Sequence, residues 1–268
     1  MAGARRKQSA ARIQKVHVQR ESQVTRENVF LFVPNLIGYT RVILAAISLY
    51  YMRGNPRVCT VLYCVSCILD AFDGKLARML QQSTRFGAVL DMVTDRCTTA
   101  CLLCYLTAAY PNFALIFQGL VTLDFSSHYI HMYSSLVSGS TSHKKVDSKT
   151  SRILALYYTN TRVLFVLCAA NELFFLCLYL MAFYTRPLGL NIASLLPSAL
   201  FDWVTADKMS WQFKLVYETI PSLTWPQIVG AISFPMCAVK QVINGVQFWK
   251  AAKVLADMDV QDRSRRRM

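Results

Sequence analysis

The feature that most limits what this chain can fold into is a succession of apolar stretches, each long enough to cross a bilayer as a helix. They lie at 34–52, 58–77, 88–109, 112–137, 162–184 and 226–250. A helix needs about 20 residues to cross a hydrocarbon core of about 30 Å. Of the 268 residues, 54% are apolar and only 16% are charged, whereas a soluble domain carries about a quarter charged residues. The expected fold is therefore all-α and integral to a membrane, a bundle of six transmembrane helices.

The net charge of +14 is unevenly placed, and its distribution sets the orientation. With both termini on one side, twenty Lys and Arg residues fall on that side and five on the other. Loops rich in Lys and Arg stay cytosolic, so both termini are expected in the cytosol. A nucleic-acid partner is excluded, because the basic blocks are separated by apolar spans that no DNA-binding domain carries. Residues 1–28 read as a basic cytosolic tail without the apolar core of a signal peptide. Residues 29–252 form the expected six-helix membrane domain, and 253–268 a second basic tail. Within the membrane domain, 187–225 carries Trp203, Trp211 and Trp225, several charges and prolines. It is expected to be a long non-cytosolic connection at the interface, where Trp prefers to lie. The nine cysteines lie in or beside apolar runs. The pairs Cys64/Cys67 and Cys101/Cys104 lack the further ligands of a zinc site and read as small apolar residues.

Four aspartates interrupt this pattern. Residues 70–96 read DAFDGKLARMLQQSTRFGAVLDMVTDR. Asp70 and Asp73 stand at i, i+3 and Asp91 and Asp95 at i, i+4, so each pair projects from one helical face. The short polar loop 79–86 makes the two helices an antiparallel hairpin that brings both pairs to similar depth. One aspartate near mid-membrane costs about 2.5–3.5 kcal/mol on insertion scales, and converging carboxylates repel one another. A divalent cation offsets both costs. Oxygen-only ligands favour a hard ion such as Mg2+ or Mn2+, and four carboxylates can hold two ions across a phosphoryl-transfer site. The competing structural reading pairs the aspartates with Lys75, Arg78, Arg85 and Arg96 at a membrane surface. Gly74, Ala77 and Gly87 allow close helix approach, and Arg78 can neutralise a diphosphate.

The pattern Asp70-x2-Asp73-Gly74-x2-Ala77-Arg78-x8-Gly87-x3-Asp91-x3-Asp95 resembles the full signature of the CDP-alcohol phosphatidyltransferases, without departure at any fixed position. The resemblance implies six membrane helices of that family's type, commonly as a homodimer, in a multi-pass protein of the endoplasmic reticulum membrane with its active site facing the cytosol. It implies that Asp70, Asp73, Asp91 and Asp95 hold two metal ions and that Asp95 is also the general base. It further implies that CDP-diacylglycerol is bound by Asp73, Gly74, Ala77, Arg78, Thr84 and Gly87, joined by Asn35 and Arg41 from the stretch 34–41.

The acceptor is read from wider blocks. FLFVPNLIGYTR (30–41), SHKKVD (142–147), YYTNTRVLF (157–165) and CAANELFF (168–175) resemble eukaryotic members of the family that transfer the phosphatidyl group to myo-inositol. The expected products are phosphatidylinositol and CMP. A polyol needs several hydrogen-bonding groups, and His128, His131, His143, Lys144 and Arg162 are the candidates, although a structural His pair, a solvated loop and a positive-inside anchor explain the same residues. Asn171 and Glu172 read as an interhelical contact. Other acceptors, serine or glycerol 3-phosphate, fit the same chemistry. A cation-coupled transporter also uses intramembrane aspartates, but it should show inverted repeats and interrupted helices, which this sequence lacks.

Overall fold

The computed structural model describes residues 28–138, 160–189 and 222–267. Six long helices carry the described residues, with no strand among them: α1 Val33–Tyr51, α2 Pro56–Met79, α3 Arg85–Ala109, α4 Ala114–Val137, α5 Thr161–Met181 and α6 Trp225–Arg267. Single 3-10 turns at Val29–Leu31 and Pro111–Phe113 precede α1 and α4.

Local chemistry sets the helix ends. Proline suits the first turn, where its missing N–H costs nothing, and Pro34 and Pro56 stand there in α1 and α2. Asn55 accepts the N–H of Val58 at 3.3 Å, Thr84 that of Gly87 at 3.0 Å and Asn160 that of Arg162 at 3.0 Å, so side-chain oxygens cap three helices. At α6 the Gln227 side chain reaches back to the N–H of Thr224 at 2.8 Å, half of a capping box. After α2 the chain reverses through Gln81, whose φ of 56° is left-handed.

The chain divides into two compact units, Met1–Ala46 with Leu62–Thr94, and Ile47–Val61 with Asp95–Met268. In the first, Gly38 lies against Leu90, where an added Cβ would come within 2.8 Å of Cδ2. Phe30 meets Phe86 edge-on at 4.9 Å, and Gln82 accepts the N–H of Val33 at 3.1 Å. In the second, Leu102, Leu103, Leu106, Phe175, Cys177 and Tyr179 are buried. The Tyr179 hydroxyl donates to the Met52 carbonyl at 2.8 Å and that of Tyr110 to the Leu178 carbonyl at 2.9 Å. α6 packs along both α5 and α4, with Gly230 seated against Cys177 and Met181.

Large apolar side chains stay exposed, among them Ile43, Leu115 and Ile232 at 59%, 81% and 66%. Water disfavours such surfaces and lipid does not. By length and composition α1, the stretch Arg162–Met181 and α6 can cross a membrane. α2, α3 and α4 have 24, 25 and 24 residues, long enough but diluted by polar groups. All-helical architecture with several apolar helices is consistent with a membrane protein.

Candidate active site

Helical spacing places Asp70 and Asp73 on one face of α2, while Asp91 stands on the second turn of α3. Their common partner comes from α1. Arg41, only 2% exposed, reaches Asp70 at 2.6 Å, Asp73 at 2.8 Å and Asp91 at 2.7 Å. Carboxylate oxygens of Asp70 and Asp91 lie within 4.8 Å of each other, and Asp95 stands one turn along α3 from Asp91. A buried guanidinium among three carboxylates leaves negative charge in excess, and charge-assisted bonds of this length are strong. Of the cations proposed for a surface pairing (Lys75, Arg78, Arg85 and Arg96), Arg96 stands 3.6 Å from Asp95. The partner that holds three of them lies 29 to 50 residues away and could not be read from local spacing.

A cleft of about 200 Å³ adjoins these carboxylates. Seven of the eight expected donor-binding residues line it: Asn35, Asp73, Gly74, Ala77, Arg78, Thr84 and Gly87. Arg41 is the eighth, and its guanidinium sits among the carboxylates instead. Asn35 is buried and donates to the Val29 carbonyl at 2.6 Å. A Cβ on Gly87 would lie 2.7 Å from Asn35 Oδ1 and 3.1 Å from Thr84 Oγ1, so any larger residue would displace this part of the cleft wall. At Gly74 the nearest atom would be Arg78 Nη1 at 3.7 Å, an ordinary contact, and its backbone is left open toward the cleft.

The acceptor candidates are scattered. His128 on α4 donates from Nδ1 to the Asp124 carbonyl at 2.8 Å; a carbonyl only accepts, which fixes that proton. The His131 carbonyl accepts from Ser134 and Ser135. Arg162 is exposed at the start of α5. His143 and Lys144 lie outside the described residues.

The second unit also holds a polar network around Asp124 and Glu172. Arg96 Nη1 donates to Asp124 Oδ1 and Oδ2 at 2.7 and 3.0 Å. Lys240, 3% exposed, stands 3.9 Å from Asp124 Oδ1, and Asn244 donates to the same oxygen at 3.4 Å. Glu172 accepts from Thr99 at 3.0 Å and from Asn171 at 3.2 Å, as an interhelical contact requires. Lys240, Asn244 and Gln247 stand outside the residues expected from the sequence, although their i, i+4, i+7 spacing inside an apolar run marks one polar helix face.

The family model for CDP-alcohol phosphatidyltransferase matches residues 31–252. This chain belongs to that family. Among its curated relatives, the CDP-diacylglycerol–inositol 3-phosphatidyltransferase of Schizosaccharomyces pombe is 51% identical over 237 residues, covering 88% of this chain and 93% of the relative. The proteins of the same name from Saccharomyces cerevisiae and Mus musculus are 44% and 42% identical, each over 90% of this chain and over 93% and 99% of the relative. No solved structure matches the chain.

Divalent metals are general to CDP-alcohol phosphatidyltransferases, and the residues present fit them. The donor set is carboxylate oxygen alone, as Mg2+ or Mn2+ prefers, and a guanidinium already occupies a position of strong cation affinity among Asp70, Asp73 and Asp91.

Proposed function

We propose that this chain transfers the phosphatidyl group of CDP-diacylglycerol to myo-inositol, giving phosphatidylinositol and CMP. The observation that carries the reading is the pair of carboxylates, Asp73 and Asp91, on the wall of a cleft lined by Gly74, Ala77, Arg78 and Gly87, with Asp70 tied to both through Arg41. The names of the relatives support inositol over serine or glycerol 3-phosphate as the acceptor.

Asp70, Asp73, Asp91 and Asp95 would hold two divalent ions, which when bound supply charge stabilisation for the phosphoryl oxygens and the departing nucleotide. Asn35, Thr84 and the open backbone at Gly74 and Gly87 receive the CDP moiety, and Arg78 faces its diphosphate. Arg41 fixes the spacing of three carboxylates from the far side. Asp95 accepts the proton of the inositol hydroxyl as the general base. The freed oxygen forms a bond to the phosphorus that carries diacylglycerol, and the phosphoanhydride bond to CMP breaks. His128, His131, His143, Lys144 and Arg162 are the candidates for holding inositol.

Six spans with both termini cytosolic, supported by the twenty-to-five distribution of basic residues, put the aspartates at the cytosolic headgroup level of the endoplasmic reticulum membrane. There the acyl chains stay in lipid. The basic tails 1–28 and 253–268 flank the membrane domain 29–252, which works as a homodimer. Incorporation of labelled inositol by purified protein in mixed micelles tests the reading. Activity should require CDP-diacylglycerol and Mg2+ or Mn2+ and disappear in Asp91→Asn and Asp95→Asn. Serine accepted while inositol is refused would overturn the choice of acceptor.

A further inference from the structure

We infer that Asp124, acting through Arg96 and backed by Lys240, is a positioning residue for Asp95; this rests on the reading of Asp95 as the general base. Asp124 lies within the 24-residue apolar helix α4 and is 8% exposed. A carboxylate there is expensive unless paired and hydrogen-bonded. Its partners do more than neutralise it. Arg96 Nη1 is held by both Asp124 oxygens at 2.7 and 3.0 Å, and Arg96 Nη2 faces Asp95 Oδ2 at 3.6 Å. One end of the guanidinium is anchored and the other presents positive charge to Asp95. At 3.6 Å that contact orients the carboxylate by Coulomb attraction rather than through a directed hydrogen bond.

The anchor is itself anchored. Asn244 donates to Asp124 at 3.4 Å, Lys240 donates to Asn244 at 3.3 Å, and Asn244 donates to Gln241 at 3.3 Å. Gln241 in turn donates to Asn171 at 2.7 Å. On the turn after Asp95, Thr99 donates to the Asp95 carbonyl and to Glu172, both at 3.0 Å. Groups from α3, α4, α5 and α6 thus grip the segment that carries Asp95.

The charges also balance without it. Arg96 and Lys240 offset Asp124 and Glu172, so the network does not need the Asp95 charge for its own neutrality. Outer partners of this kind typically change activity by about 10–100-fold when lost. A network serving stability alone would change melting temperature and leave the rate per folded molecule intact.

The test uses the full chain in CDP-diacylglycerol mixed micelles, with kcat, KM for both substrates, and the thermal midpoint measured for Asp124→Asn, Asp124→Glu, Lys240→Met and Asp95→Asn. Asp124→Asn should lower kcat about 10–100-fold with both KM values within about threefold. Asp124→Glu, which keeps the charge, should recover part of the loss. Lys240→Met should lower kcat in the same direction by less, and carries the test if Asp124→Asn does not fold. A kcat within about twofold of the parent in folded Asp124→Asn and Lys240→Met overturns the proposal. So does a raised KM for inositol with kcat intact, which would make the network an acceptor site. Full activity in Asp95→Asn removes the underlying reading of the base, independently of what Asp124 does.

Discussion

Replacing Gly87 by alanine asks how much of the cleft is set by a single missing methyl. The new Cβ would lie 2.7 Å from Asn35 Oδ1 and 3.1 Å from Thr84 Oγ1, so neighbours must retreat by about 0.7 Å to reach ordinary contact near 3.4 Å. Neither yields freely. Asn35 is 2% exposed and bonded to the Val29 carbonyl at 2.6 Å, and Thr84 caps α3 through the N–H of Gly87 at 3.0 Å. Losing either bond costs about 1 kcal/mol, which the better helix propensity of alanine, also about 1 kcal/mol, largely offsets. Global stability should therefore hardly change. Catalysis should suffer, because a misplacement approaching 1 Å in a binding wall can cost about 100-fold. The expected outcome for Gly87→Ala is a 10–100-fold fall in kcat/KM for CDP-diacylglycerol, on the order set by that misplacement, with an almost unchanged thermal midpoint. Gly119→Ala in α4, where nothing lies within 4 Å, is the control and should match the parent. Parent-like kinetics in Gly87→Ala would refute the idea that Asn35, Thr84 and Gly87 shape the donor pocket.

At Gly74 the protein has room for a methyl, with its nearest neighbour at 3.7 Å, so Gly74→Ala should fold normally and lose affinity for the donor, read as a raised KM for CDP-diacylglycerol. Arg41→Met leaves the buried Asp73 and its two neighbours uncompensated, a change that costs about 3–5 kcal/mol for a broken buried pair; the thermal midpoint should fall and recover in part with Mg2+ or Mn2+, as differential scanning fluorimetry can follow. Tyr179→Phe removes a buried hydroxyl from the Met52 carbonyl and should cost about 1–3 kcal/mol in denaturant unfolding while inositol transfer per folded molecule stays the same.

Hydropathy alone locates the helices closely. Apolar runs at 34–52 and 58–77 correspond to Val33–Tyr51 and Pro56–Met79, because lipid-crossing length and helix periodicity act on the same residues. The aspartate pairs were legible because their spacing is local. Arg41 as their shared partner was not, since nothing in a span's own pattern says which face of another helix it meets. Lys240 and Asn244 were missed for a related reason: two polar residues hardly dent the hydropathy of a long run, and only their helical register betrays them. Hydropathy also ends the last run near 250, whereas the helix continues to Arg267. Strong helix formers such as Ala251, Ala252, Lys253 and Leu255 sustain it after the long apolar run stops.

That continuation has a mechanical meaning. At 1.5 Å per residue the 43 residues of α6 extend about 65 Å, roughly twice a hydrocarbon core. The three arginines of its final turn therefore stand about 25 Å along the axis from Lys250, farther than the roughly 8 Å over which salt water lets charges feel one another. The helix thus carries its charged last turn well clear of the apolar stretch that hydropathy marks.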